Sequence, residues 1–253
     1  MTFAVAAEAY DRFMGRYSVP LAPLFADFAG TAGRVLDVGC GPGALTAELV
    51  GRLGEDAVAA VDPSPPFVEA VRERHPGITV ERATAEELPF SQQEFDAALA
   101  QLVVHFMKDP VAGLREMARV TRDGGVVAAS VWDHGGGQGP LSLYWDAVHE
   151  LDPGVDDESK LAGAREGDLS RLLRTAGLQD IVETGLWVSV EHPTFEDWWE
   201  PYTLGVGPAG DYVTGLDEEG RARLRRLCQE RLPEAPFEVR ACAWAARGLV
   251  EAA

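Results

Sequence analysis

The 253-residue chain predicts an α/β fold: a doubly wound, mostly parallel sheet with a helical insertion between its last two strands. Three observations carry that expectation. Strand and helix patterns alternate from Arg34 to Trp132. The strands are short and almost wholly apolar, as strands covered on both faces are. The first of them runs into a glycine turn, VLDVGCGPGA at 35–44.

In chain order, residues 1–30 read as helical, with Tyr10, Phe13, Met14 and Tyr17 at helical spacing. Val35, Leu36 and Val38 make the first strand, 39–43 the turn, and 45–53 a helix. AVAAV (57–61) is a second strand that ends at Asp62, and a helix over 65–75 stops near Pro76-Gly77. ITVERA (78–83) is the third strand and 95–100 the fourth. The stretch 109–121 is a helix with Asp109 as N-cap and Pro110 at its first position. Asp123-Gly124-Gly125 reads as a turn before a fifth strand at 126–132. Parallel crossovers are right-handed, which makes the sheet doubly wound, with a ligand beyond the carboxyl ends of its strands.

Past Trp132 come a glycine-rich loop (DHGGGQGP, 133–140), a helix around YWDAVHEL, an acidic loop, and a helix over 168–178 with Gly177 as C-cap. The last strand candidates are 181–191 and 237–246. The residues between them are too many for a hairpin loop and read as helical. With no repeat or low-complexity linker, residues 1–253 read as one domain: a helical cap at 1–32, a core of 33–191 and 237–250, and an insertion or lid at 192–236.

Composition narrows the function. Charged residues are 25% and hydrophobic ones 46%, ordinary for a globular chain, but the net charge is -19. Such acidity argues against nucleic acid and anionic membranes as partners. No apolar run approaches the roughly 20 residues of a membrane helix. The three cysteines, Cys40, Cys228 and Cys242, form no metal-binding or disulfide pattern. The N-terminus makes a poor signal peptide. A cytoplasmic protein without a metal is the expectation.

GCGPGA also satisfies the dinucleotide pattern G-x-G-x-x-G/A, with Asp62 near the distance of a ribose-binding acid, so an NAD(P)-dependent oxidoreductase is one reading. A P-loop is excluded because G-K-[ST] is absent. Asp37, two residues before the first glycine, weighs against a pyrophosphate, which packs on the glycine backbone and helix N-terminus. A carboxylate there repels phosphate and attracts a cation. S-adenosylmethionine, an adenosine compound with ammonium and sulfonium groups and no phosphate, suits both features. Asp62 would accept the ribose hydroxyls in charge-assisted hydrogen bonds. The plainer reading of Asp37 is a turn-capping aspartate.

VLDVGCGPG (35–43), VDPS (61–64), ATAEELPF (83–90), FDAALAQLVVHFMKDP (95–110) and LREMARVTRDGG (114–125) together resemble one family. It is the class I S-adenosylmethionine-dependent methyltransferases, of the small-molecule type related to the ubiquinone/menaquinone methyltransferases. The resemblance covers roughly 33–132 and implies a Rossmann-like methyltransferase fold. It implies that Asp37 and Gly39 hold the methionine part, shaped by Gly41 and Gly43; that Asp62 binds ribose, with Pro63 beside the adenine; and that Thr84, Ala85 and Glu86 read the adenine edge. The family often has aspartate where this chain has Thr84. The backbone of Gln101 would face the methionine amino group. The segment YDRFMGRYSVP resembles one that folds over the cofactor, where Arg16 would pair with the methionine carboxylate and Tyr10 close the pocket; a plain amphipathic helix is the other reading.

Methyl transfer needs alignment and exclusion of water, and needs a base only if the acceptor loses a proton. His105, after the fourth strand, is the candidate catalytic base, His134 a second, with packing roles as the alternative. Trp132, Trp145, Trp198, Trp199 and Tyr202 are candidates for lining the acceptor site, or else for core. The arginine-bearing helix 218–232 is a solvated face, or else meets an anionic acceptor or partner subunit, so a homodimer stays open. The expected function is transfer of a methyl group from S-adenosylmethionine, leaving S-adenosylhomocysteine, to a small molecule of unknown identity. A non-catalytic cofactor-binding protein on the same fold is the alternative of another class.

Overall fold

A computed structural model describes residues 11–251. A π-helical turn, Asp11–Gly15, leads into α1 (Arg16–Ala29). Then follow β1 (Val35–Val38), α2 (Ala44–Leu53), β2 (Val58–Asp62), α3 (Pro65–Arg74), β3 (Thr79–Arg82) and β4 (Phe95–Gln101). After them come α4 (Pro110–Val120), β5 (Thr121–Trp132), α5 (Ser142–Leu151), α6 (Asp168–Ala176) and β6 (Gln179–His192). Three helices, α7 (Phe195–Trp199), α8 (Gly207–Gly215) and α9 (Glu218–Arg231), precede β7 (Phe237–Leu249).

The seven strands form one sheet in the order β3-β2-β1-β4-β5-β7-β6. β1 to β5 are parallel, and β7 runs antiparallel to both β5 and β6. The strands are added to the sheet in opposite senses, β1 to β3 outward one way and β4 onward the other, and β1 and β4 pair directly in parallel. The carboxyl ends of these two strands therefore flank the crevice where such folds take ligands.

Strand periodicity separates the two faces. Ala98 and Ala100 of β4 pack with Leu114, Met117 and Val120 of α4 and Leu169 and Leu173 of α6. Ala97 and Leu99 face the other way, onto Phe25 and Ala26 of α1, Leu45 and Leu49 of α2, and Val68 and Val71 of α3. The small residues of the central strands let both helical layers approach closely. A third core, rich in aromatics, joins the start of α1 to α5 and to helices α7 to α9.

The N-cap of α4 is Asp109, whose side chain accepts from the N–H of Ala112, and Pro110 follows it. Gly177 ends α6 in the left-handed region. The turn expected at 123–125 is not a boundary. β5 begins at Thr121, and its register on β4 jumps from Phe95↔Thr121 to Ala97↔Val126. The Asp-Gly-Gly stretch is an excursion inside the strand, tied down where Gly124 N–H donates to Val250 O and Val250 N–H donates to Gly125 O. Among the described residues no helix is long and apolar enough to cross a membrane.

Candidate active site

The crevice is built on two strand ends. Past β1, the N–H groups of Gly39 and Cys40 both donate to Val61 O, at 2.8 and 3.0 Å, which folds the glycine loop against the end of β2. Gly39 has φ +72°, and a Cβ there would stand 2.6 Å from both methyls of Val103. Gly41 (φ +52°) faces open space and donates its N–H to Asp62 Oδ2 at 2.9 Å.

Asp37 is 1% exposed. Its Oδ2 accepts from Thr46 Oγ1, in the first turn of α2, at 2.6 Å. Its Oδ1 is buried without a partner. Burial pushes its pKa up to about 7, tempered by Thr46 and raised further by Asp62. Asp62 is also buried, and its Oδ1 accepts from Ser64 N–H at 2.8 Å. Burial raises its pKa against those two backbone donors. From β4, Gln101 donates through Nε2 to Ser18 O of α1 at 3.1 Å, and its Oε1 is buried without a partner.

Three cavities open around these groups. The first, about 260 Å³, is lined by Asp37, Gly39, Gly41, Asp62, Pro63 and Gln101 together with Ser18, Ser64, Phe67 and Phe106. Gly43 caps α2 just behind it. The second, about 610 Å³, shares Gly39, Pro63, Val103 and Phe106 with the first and adds Thr84, Ala85 and Glu86. Burial pushes the Glu86 carboxyl up, but donors that include the N–H groups of Asp109 and Lys108 outweigh it and hold the group below the usual range. The third, about 80 Å³, is lined by His105, His134, Trp132, Glu158, Phe13 and the 206–209 segment, and shares Leu102 and Phe106 with the first.

His105 borders the third cavity with its Nδ1 buried and unpartnered. Burial, then the neighbouring His134 at a 6.0 Å ring separation, pushes its pKa down to about 3. Burial takes His134 to about 4, against the pull of Asp157. Both rings are neutral at physiological pH. Their surroundings suit hydrogen bonding and oppose storage of a proton, which weakens the expected base role of His105.

Two sequence expectations need correction. Arg16 does not line the glycine-loop cavity. Its Nη1 sits 2.8 Å from Asp197 Oδ2 and 3.1 Å from His192 Nδ1. Nor do the tryptophans and tyrosine gather at the small cavity. Only Trp132 of that set lines it. Tyr202 stacks on Tyr144 at 4.4 Å and 14°, Trp198 and Trp199 pack on Phe195 and Tyr202, and Trp145 lies against Tyr144 and His149. These side chains form core. Tyr10 lies outside the described residues.

Comparison with known proteins bears on the whole arrangement. A family model described as a methyltransferase domain matches residues 36–129. An uncharacterized methyltransferase of Mycobacterium tuberculosis is 39% identical over 168 residues, 66% of this chain and 61% of that protein. The chain thus spans about three fifths of the length of such relatives. The ubiquinone biosynthesis O-methyltransferase of Cereibacter sphaeroides is 31% identical over 205 residues, 78% of this chain and 75% of that one. The chain belongs to the class I methyltransferase family. The fold agrees: the YcgJ protein of Bacillus subtilis superposes with a TM-score of 0.59 at 18% identity, over 94% of this chain and 99% of that structure.

In this methyltransferase chain several cavity residues escaped the sequence reading. Ser64 closes the VDPS motif and Ser18 lies in YDRFMGRYSVP, but neither was singled out within its motif, and Phe67 belongs to none. Phe106 borders all three cavities and is 68% exposed. Its signal was present in the sequence, as an aromatic directly after His105 beyond the fourth strand. Glu158 sat in what read as a plain acidic loop, yet it is buried.

Proposed function

We propose that the chain binds S-adenosylmethionine in the joined first and second cavities and transfers its methyl group to a small-molecule acceptor. One observation carries the reading. Among the described residues, two buried acceptor atoms, Asp37 Oδ1 and Gln101 Oε1, stand unpartnered at the glycine-loop cavity, and no lysine or arginine lines it. Buried acceptors call for donors or positive charge on the ligand. An ammonium group suits them. A pyrophosphate would add two negative charges beside Asp37.

Bound there, S-adenosylmethionine would supply a methyl group activated by its sulfonium. The remaining work belongs to the chain. Asp37 and Gln101 would accept from the ammonium, and Asp62 from ribose hydroxyls with its remaining lone pairs, the carboxylate being oriented by Gly41 and Ser64 N–H. Pro63, Thr84 and Glu86 would border the adenine. Phe106 and the 206–209 segment would keep water from the junction with the third cavity, where the acceptor would meet the methyl group. The expected location of the protein is the cytoplasm.

Calorimetry with S-adenosylmethionine, S-adenosylhomocysteine and NADH tests this. Binding of the two adenosyl ligands and not of NADH is expected. NADH binding without them would overturn the proposal.

A further inference from the structure

The third cavity has a polarity that selects among acceptors. Glu158 belongs to a single turn, Glu158–Lys160, capped where Asp157 accepts from Ser159 N–H. The Glu158 side chain turns inward and the residue is 6% exposed. Its Oε2 has no hydrogen-bond partner among the described residues. The Trp145 indole N–H lies close enough to favour the ionised carboxyl without completing a hydrogen bond to it. Burial pushes the carboxyl up to about 6, so it is still largely charged at neutral pH. Among the described residues no lysine or arginine lines the cavity. Arg16, the cation on the neighbouring α1, is engaged by Asp197.

A buried carboxylate without a counter-ion is costly, and a guest that supplies the positive charge relieves that cost. The walls suit such a guest. Phe13, Phe106 and Trp132 offer aromatic surface to a cation. Both imidazoles are neutral and compete for nothing, and His105 Nδ1 is free to accept or donate. Trp132 Nε1, an unpartnered donor, is left for an oxygen elsewhere on the same guest. An acidic guest would set a second negative charge beside Glu158. Size restricts the choice further. At about 80 Å³ the cavity is roughly half the 150 Å³ that admits benzene, so it encloses one short arm of a molecule.

We propose that this cavity holds the amine end of a small cationic acceptor, with the Glu158 carboxylate as counter-ion and Phe13, Phe106 and Trp132 as walls. The assignment rests on the methyltransferase reading, because the cavity meets the glycine-loop cavity at Leu102 and Phe106.

The test uses three probes of equal length on the full chain at pH 8: n-butylammonium, 1-butanol and butyrate. The indole N–H resonance of Trp132, assigned with Trp132→Phe, reports binding. The ammonium should bind about tenfold more tightly than the alcohol, the scale of one charge-assisted hydrogen bond, with butyrate weakest. Glu158→Gln should remove most of that advantage. Equal binding of ammonium and alcohol, no saturable ammonium binding, or ammonium binding that ignores Glu158→Gln would each overturn the proposal. The wild-type comparison stands even if the variant misfolds. S-adenosylhomocysteine titrated in parallel separates the two claims. If it binds and the amine preference is missing, the acceptor class alone is wrong. If it does not bind, the methyltransferase reading fails and the acceptor role with it.

Discussion

Arg16 and Asp197, 181 positions apart, close a two-point ion pair that ties α1 to the first helix beyond β6. His192 completes the cluster, its Nδ1 3.0 Å from Asp197 Oδ2 and its Nε2 3.0 Å from the Tyr17 hydroxyl. Either Arg16→Ala or Asp197→Ala should cost about 1–2 kcal/mol, above exposed ion pairs and below fully buried charged hydrogen bonds. A double-mutant cycle by chemical denaturation measures the coupling, and additive losses would show that the pair contributes nothing.

The same cluster gives acid sensitivity. The Arg16 hydrogen bond holds Asp197 below its ordinary 3.8, so its contribution is complete above that value and is lost as pH falls through the lowered one. Burial holds His192 below its ordinary 6.5. Below 6.5 the unfolded chain therefore takes up a proton that the folded ring resists, and stability falls there too. Both effects run in one direction. Melting temperature should drop from pH 6.5 downward, and His192→Gln should flatten the upper part of that drop.

Asp37 works with the opposite sign. Its folded pKa of about 7 exceeds the ordinary 3.8, so across that window the folded state holds a proton that the unfolded chain has lost. Rising pH then destabilises the ligand-free protein through this group. Asp37→Asn should raise its stability at pH 8, by a few kcal/mol at most at about 1.4 per pKa unit, and should leave it unchanged at pH 3. A cationic ligand would draw the proton off. Binding at pH 6.5 should release a proton in the wild type and not in Asp37→Asn, read by calorimetry in buffers of different ionisation enthalpy.

Two loop glycines should respond differently. Gly39→Ala combines a left-handed φ with overlap on Val103, and should cost about 2–4 kcal/mol. Gly41→Ala, with φ +52° and open space around it, should cost about 1–2 kcal/mol. Val103→Ala should recover part of the first loss and none of the second. Equal costs for the two glycines would show that backbone conformation alone decides.

Core and cavity aromatics separate by the same logic. Trp199 is 5% exposed and its replacement by alanine should cost about 3–5 kcal/mol. Phe106, largely exposed, should change stability by less than about 0.5 kcal/mol when replaced and instead weaken ligand binding. Denaturation and titration of both variants give the four numbers. A Phe106→Ala that unfolds the protein while binding ligand normally would reverse the assignment.

The parallel sheet was legible because its strands are local apolar runs with glycine, proline and aspartate at their ends. The cleft residues of β1, β2 and β4 followed, since each sits a fixed short distance from a strand end. Arg16 was not legible, because its partner lies 181 residues away and a helical arginine beside an acidic ligand pocket looks the same either way. The tryptophans were ambiguous for a related reason, since a core and an acceptor pocket both call for buried aromatics. Glu158 was hidden because inward rotation of a loop carboxylate depends on tertiary packing, and Asp-Gly-Gly at 123–125 carries turn chemistry that the long β5–β7 pairing overrides.

Phe106 is a wall common to all three cavities. An occupant that turns the ring toward one chamber reshapes the other two, and thermodynamic reciprocity then makes each occupant's affinity depend on the other's by the same factor. The torsions of one phenyl group would thereby link the affinities of neighbouring chambers.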